Sequence, residues 1–135
     1  MMGIAAQLSE DDIINLAAYY SSKAISENIA KTDADSLKLA EKIYLGGKKE
    51  VAACIACHGP KGKGIPSAKF PSIYAQHAEY TESQLKKFRQ YSLNIMLEEN
   101  EEERANDENQ MMRSIAKHLS DNEIKALSQY IAGLR

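Results

Sequence analysis

Residues 53–64 read ACIACHGPKGKG, and they hold both cysteines of the 135-residue chain. Cys54 and Cys57 stand three positions apart and His58 follows at once. Two thiols on one helical turn can reach the two vinyl groups of a porphyrin, and the imidazole beside the second can ligate its iron. A thioredoxin-like redox pair would follow a strand in a βαβ pattern, and a structural zinc site would need a second Cys or His pair; neither is visible. A bare disulfide leaves His58 and the glycine-rich tail without a role. The segment predicts one covalently held haem, and the rest of the chain must fold around it.

An iron ligated by His58 takes a Met, a second His or water on its other face. The candidates are Met96, Met111, Met112, His77 and His118. Met96 belongs to the apolar SLNIML and reads as packing. His77, in YAQHAEY before a helix start, reads as a loop histidine, and His118 as a surface one. Met112 shares a stripe with Ile115, Ala116 and Leu119 at spacings of three, four and seven, whereas Met111 points about 100° away. The geometry favours Met112 and leaves Met111 as the alternative.

Working outward from these residues, every element is helical. A helix is expected from about Asp33 to Tyr44, ended by Gly46 and Gly47. A loop rich in Gly and Pro runs from Gly59 to Pro71. Thr81 and Gln84 form a capping-box pattern that would open a helix over ESQLKKFRQY. Ser120 and Glu123 form another, opening a last helix striped by Ile124, Leu127, Tyr130 and Ile131. No alternating run is long enough for a sheet. The expected fold class is all-α.

Residues 1–22, MMGIAAQLSEDDIINLAAYYSS, form a further amphipathic helix with Ser9 and Asp12 at its start. Moved by 111 positions they fall on 112–133: Met1 on Met112, Leu8 on Leu119, Ser9 on Ser120, Leu16 on Leu127, Tyr19 on Tyr130. The opening of the chain repeats its ending. Acidic residues 10–12 interrupt any signal-like apolar run, and no stretch approaches the roughly 18 apolar residues of a membrane span, so a soluble product is expected.

The net charge of −2 is unevenly spread. Residues 46–91 carry eight Lys or Arg against Glu50, Glu79 and Glu82, while EENEEERANDE, residues 98–108, holds seven acidic residues against Arg104. That run reads as a solvated loop or helix end.

These motifs, with AEKIYLGG, KFPSIYAQHAEYTESQLKKFR and RANDENQMMRSIAKHLSDNEIKALSQYIAGL, resemble the class I c-type cytochromes, and among them the two-haem cytochromes called cytochrome c4. The resemblance covers nearly the whole chain. It implies a class I cytochrome c fold around one haem, preceded by an extra N-terminal helix. Residues 1–22 would be the closing helix of a preceding domain, 23–34 a linker, and 35–135 a haem domain. Cys54 and Cys57 would hold haem c through thioethers, with His58 the proximal and Met112 the distal ligand. The Pro71 carbonyl would accept a hydrogen bond from His58, Ile73 would pack on the porphyrin, and Ala40 and Tyr44 would cross Leu127 and Tyr130. The implied role is electron transfer in a bacterial respiratory chain, not enzymatic catalysis. Expected partners are redox proteins such as a terminal oxidase or a bc-type complex, with peripheral membrane association allowed and nucleic acid excluded. The implied location is the periplasm, so a chain lacking an export signal reads as N-terminally truncated. Two other readings stay open: a haem with a free distal position, serving as a peroxidase-like enzyme or sensor, and a nonfunctional fragment.

Overall fold

The computed structural model describes residues 2–93 and 107–135. Met1, Met96 and the acidic run as far as residue 106 lie outside the described residues. Seven α-helices are found among the described residues: α1 Met2–Ala5, α2 Glu10–Ser21, α3 Ala34–Gly46, α4 Ile55–His58, α5 Ala78–Ser92, α6 Met111–Ala116 and α7 Asp121–Ala132. Their only β pairing is two isolated bridges, Lys48 with Val51 and Ile65 with Phe70. The fold is all-helical, as expected from the sequence.

Helix α3 starts where the Asp33 side chain accepts from Ser36 N at 2.8 Å and ends at Gly47, whose φ of 67° suits glycine. Helix α7 packs on both α3 and α5, and α6 packs on α5. The core between them holds Ala40, Ile43 and Tyr44 from α3, Leu85 from α5, and Ile124, Leu127 and Ile131 from α7. Ala40 and Tyr44 are fully buried, and the Tyr44 and Tyr130 rings lie 5.3 Å apart, so the α3–α7 crossing uses the expected positions. The Tyr44 hydroxyl donates to Gly59 O at 2.6 Å, which ties α3 to the loop after the cysteines. Burial pushes that hydroxyl up to about 12.

Helix α5 begins three residues before the expected cap. Thr81 lies inside the helix, its N–H donating to His77 O at 3.0 Å. Ala78, Thr81 and Leu85 form the buried stripe, and burial of that whole stripe outweighs the local capping signal. Asp107 also departs from its solvated reading. It is 8% exposed and its carboxylate is fully engaged, as described below.

Helices α2 and α7 span the same residues shifted by 111, from Glu10–Ser21 to Asp121–Ala132. Both carry a complete capping box, Ser9 with Asp12 and Ser120 with Glu123. Helix α7 buries six side chains, whereas α2 buries none. The segment between α2 and α3 lies against α7 and the loop before α5: Asn28 Nδ2 donates to Ala75 O at 2.7 Å and Lys31 N to Gln129 Oε1 at 2.7 Å. No helix among the described residues is long and apolar enough to cross a membrane.

Candidate functional site

Cys54 sits at the start of α4, and His58 N donates to Cys54 O at 2.9 Å, so one helical turn carries Cys54, Cys57 and His58. Gly59, at φ 75°, ends that turn and lets the chain reverse. Gly64 N then donates to His58 O at 2.8 Å, and Ile65 and Phe70 exchange backbone hydrogen bonds at 3.0 and 3.2 Å. This closed loop returns Pro71 to the imidazole, and His58 Nδ1 lies 2.9 Å from Pro71 O. A carbonyl oxygen has no proton to give, so Nδ1 donates and Nε2 keeps a free lone pair. Ile73 and Tyr74 both donate to Gly62 O, at 2.7 and 2.8 Å, which sets the position of Ile73.

Two adjoining cavities, of about 300 and 430 Å³, share Cys54, His58, Pro71, Phe88, Met112 and Ile115 in their walls. The inner one is also lined by Ile73, Leu85 and the core faces of α7, Leu127 and Ile131. The outer one adds Cys57, Lys69, Asp107 and Met111. Met112 therefore lines both cavities and packs on the core, whereas Met111 lines only the outer one and is 44% exposed. His77 is exposed, and His118 is half-buried with Nδ1 3.6 Å from Glu50; neither lines these two cavities.

The donor set fits a covalently held haem. Both thiols are free, and Cys54, on the walls of both cavities, is pushed up to about 11 by burial. The walls are mainly apolar, as a porphyrin face requires. The hydroxyl of Thr81, which lines the inner cavity, is buried without a hydrogen-bond partner among the described residues. An unsatisfied buried hydroxyl costs about 1–3 kcal/mol, so an occupant bearing polar groups would relieve it.

Four wall positions were not expected from the sequence: Thr81, Leu85, Phe88 and Asp107. Thr81, Leu85 and Phe88 share one face of α5 at helical spacing, a pattern readable once the helix start is known. Asp107 had no signal, because it stands inside an acidic run. The basic residues around the loop also differ among themselves. Lys48 Nζ pairs with Glu123 at 2.7 Å, Lys63 Nζ lies 5.4 Å from the Tyr74 ring centroid, and Lys69 lines the outer cavity.

The family model described as Cytochrome c matches residues 45–135. The chain is similar to cytochrome c4 of Thiocapsa roseopersicina, at 41% identity over 99% of this chain and 65% of that protein. It is also similar to a thiosulfate dehydrogenase electron acceptor of Stutzerimonas stutzeri, at 31% identity over 99% of this chain and 58% of that one. Among solved structures, reduced recombinant cytochrome c4 from Pseudomonas stutzeri superposes with a TM-score of 0.82 at 39% identity, over 98% of this chain and 65% of the other. The chain spans less than two thirds of the length of each of these three proteins.

Proposed function

The chain belongs to the cytochrome c family of electron carriers with covalent haem c, and from this premise we propose that it shuttles single electrons between redox proteins through one haem with His58 and Met112 as axial ligands. The observation that carries this reading is the His58 Nδ1 bond to Pro71 O in a cavity that Cys54 and Met112 also line.

Bound haem c supplies a reversible one-electron couple. Cys54 and Cys57 would hold it through thioethers, each S–H adding across one carbon–carbon double bond of the haem, so that attachment would need no oxidant. Pro71 O fixes the His58 ring and raises its basicity, leaving Nε2 as the ligating nitrogen. Met112 offers a thioether, a soft ligand that favours the reduced state and raises the potential. Ile73, Leu85, Leu127 and Ile131 keep water from the inner face. Were His58 and Met112 both to hold the haem iron, no position would remain there for substrate, which argues for a carrier and against an enzyme.

The same reading makes residues 1–22 the closing helix of a preceding haem domain, 23–34 a linker and 35–135 the haem domain. Its support is the match of α2 to α7 in extent and cap, with no buried side chain on α2. A periplasmic respiratory setting with a terminal oxidase or a bc-type complex as partner belongs to the same proposal, and the similarity to cytochrome c4 proteins supports it. The similarity to a thiosulfate dehydrogenase electron acceptor favours a dehydrogenase as a further electron donor.

Absorption spectra of haem-loaded protein in both oxidation states test the ligation. Met112→Ala should open the iron to carbon monoxide and imidazole and lower the potential, whereas Met111→Ala should do neither. The reverse pattern transfers the role to Met111. An unaltered protein that binds carbon monoxide freely would favour the sensor or peroxidase-like reading. Replacing Cys54 and Cys57 together by Ala should release the haem into acid-acetone, and haem retained by that variant would refute thioether attachment.

A further inference from the structure

Helix α6 begins without a side-chain cap from the residue before it, Gln110. Its free amides are met from further back. Asp107 Oδ1 accepts from Met112 N at 2.9 Å, and Oδ2 accepts from Arg113 N at 3.0 Å and Arg113 Nε at 3.1 Å. The Asp107 carbonyl accepts from Gln110 N at 3.0 Å and Arg113 Nη2 at 3.4 Å. The carboxylate is nearly fully buried, with a side-chain exposure of 3%, and Asp107 itself lines the outer cavity. Between Asp107 and α6 the chain turns sharply, because Asn109 and Gln110 both adopt left-handed conformations at φ 56°. For a residue such as Gln that conformation persists only when its surroundings hold it there.

We propose that Asp107 is a positioning residue for the distal ligand, fixing the backbone of Met112 so that its thioether stays directed at the iron. This rests on the reading of Met112 as ligand. Two features separate this role from an ordinary helix cap. One carboxylate oxygen is committed to the amide of the ligand residue itself, and the other to the next amide and its guanidinium. The left-handed pair just before α6 would relax once that hold is lost, and relaxation there rotates Met112 as a unit with the first turn. A thioether is a weak ligand, so modest freedom in its backbone is enough for a competing base to displace it.

The experiment uses full-length, haem-loaded protein and measures imidazole affinity of the ferric form, the weak sulfur-to-iron charge-transfer absorption, and thermal unfolding. Asp107→Ala should raise imidazole affinity about tenfold or more and weaken the sulfur absorption, since hydrogen bonds to a buried charge are among the stronger ones. Asp107→Asn keeps one acceptor oxygen and should lie between the two; it carries the test alone where Asp107→Ala does not retain haem. Met112→Ala is the reference that abolishes the sulfur absorption. If Met112→Ala abolishes it while Asp107→Asn lowers only the unfolding temperature, Asp107 is a structural cap and the positioning role is overturned. If Met112→Ala leaves absorption and affinity unchanged, Met112 is not the ligand and both readings fail together.

Discussion

Gly64 has a φ of 73°, and a Cβ there would come within 2.4 Å of Phe70 O, 2.7 Å of Pro71 C and 2.8 Å of Pro71 O. Those backbone atoms cannot retreat without moving the carbonyl that holds His58 Nδ1. Gly64→Ala should therefore cost about 1–3 kcal/mol of stability through backbone strain and detach Pro71 O from the imidazole. With its hydrogen bond weakened, His58 is a poorer base, the oxidised iron is less well supported, and the potential should move upward. Thermal unfolding and a redox titration read the two effects separately, and an unchanged potential beside a lowered melting temperature would mean that Pro71 O stays in place. Individual residues were unequally legible in the sequence. Cys54, Cys57 and His58 announce their chemistry by spacing alone, because three reactive groups on one turn have few other uses. The glycines of GPKGKG announce a loop but not which of them lies against Pro71, since that contact joins segments the loop itself brings together. Asp107 is hidden among like charges, and only its burial sets it apart.

Helices α2 and α7 have the same length and the same capping box, yet only one of them supports tertiary structure. In α7 the Ser120 hydroxyl accepts from Glu123 N at 3.3 Å, and the helix buries Ile124, Leu127 and Ile131. Ser120→Ala should cost about 1 kcal/mol, a fall of roughly 4–8 °C in the melting temperature of a domain near 100 residues. Ser9→Ala removes an equivalent cap from α2, whose Ile13, Leu16 and Tyr20 are 53%, 40% and 69% exposed. No folded core depends on that cap, so the melting temperature of the haem domain should not move. Calorimetry on the two variants makes the comparison, and an equal loss in both would show that α2 contributes to the same cooperative unit. The pattern of α2 was readable as an apolar face needing a partner, but periodicity does not say which surface supplies one. Helix α5 shows the opposite failure. Its capping pattern at Thr81 is genuine as a local signal, but Ala78 and Thr81 gain more by joining Leu85 in the buried stripe than the cap would give.

Along the sequence, charge is arranged by sign. Residues 46–91, which include the cysteine loop, carry an excess of Lys and Arg, while the net charge of the chain is −2. An uneven field of this kind steers a charged partner toward one face and raises the association rate, an effect screened over roughly 8–10 Å at physiological salt. The structure divides the basic residues by what already neutralises them. Lys48 is bound to the Glu123 carboxylate, so its charge is largely cancelled before any partner arrives. Lys69 stands on the wall of the outer cavity with Cys57 and Met111. Lys61 and Lys63 are exposed on the loop between His58 and Pro71. Changing Lys61, Lys63 and Lys69 together to Gln should slow electron transfer to an acidic acceptor at low ionic strength and flatten the salt dependence of the rate, with the haem spectrum unaltered. Lys48→Gln combined with Glu123→Gln should leave rate and salt slope as they are, because the pair removed carries no net charge. Stopped-flow rates over a salt series decide between docking and mere solubility. If the triple variant keeps the original slope, the lysines around the loop serve hydration only, and the electron leaves by another face.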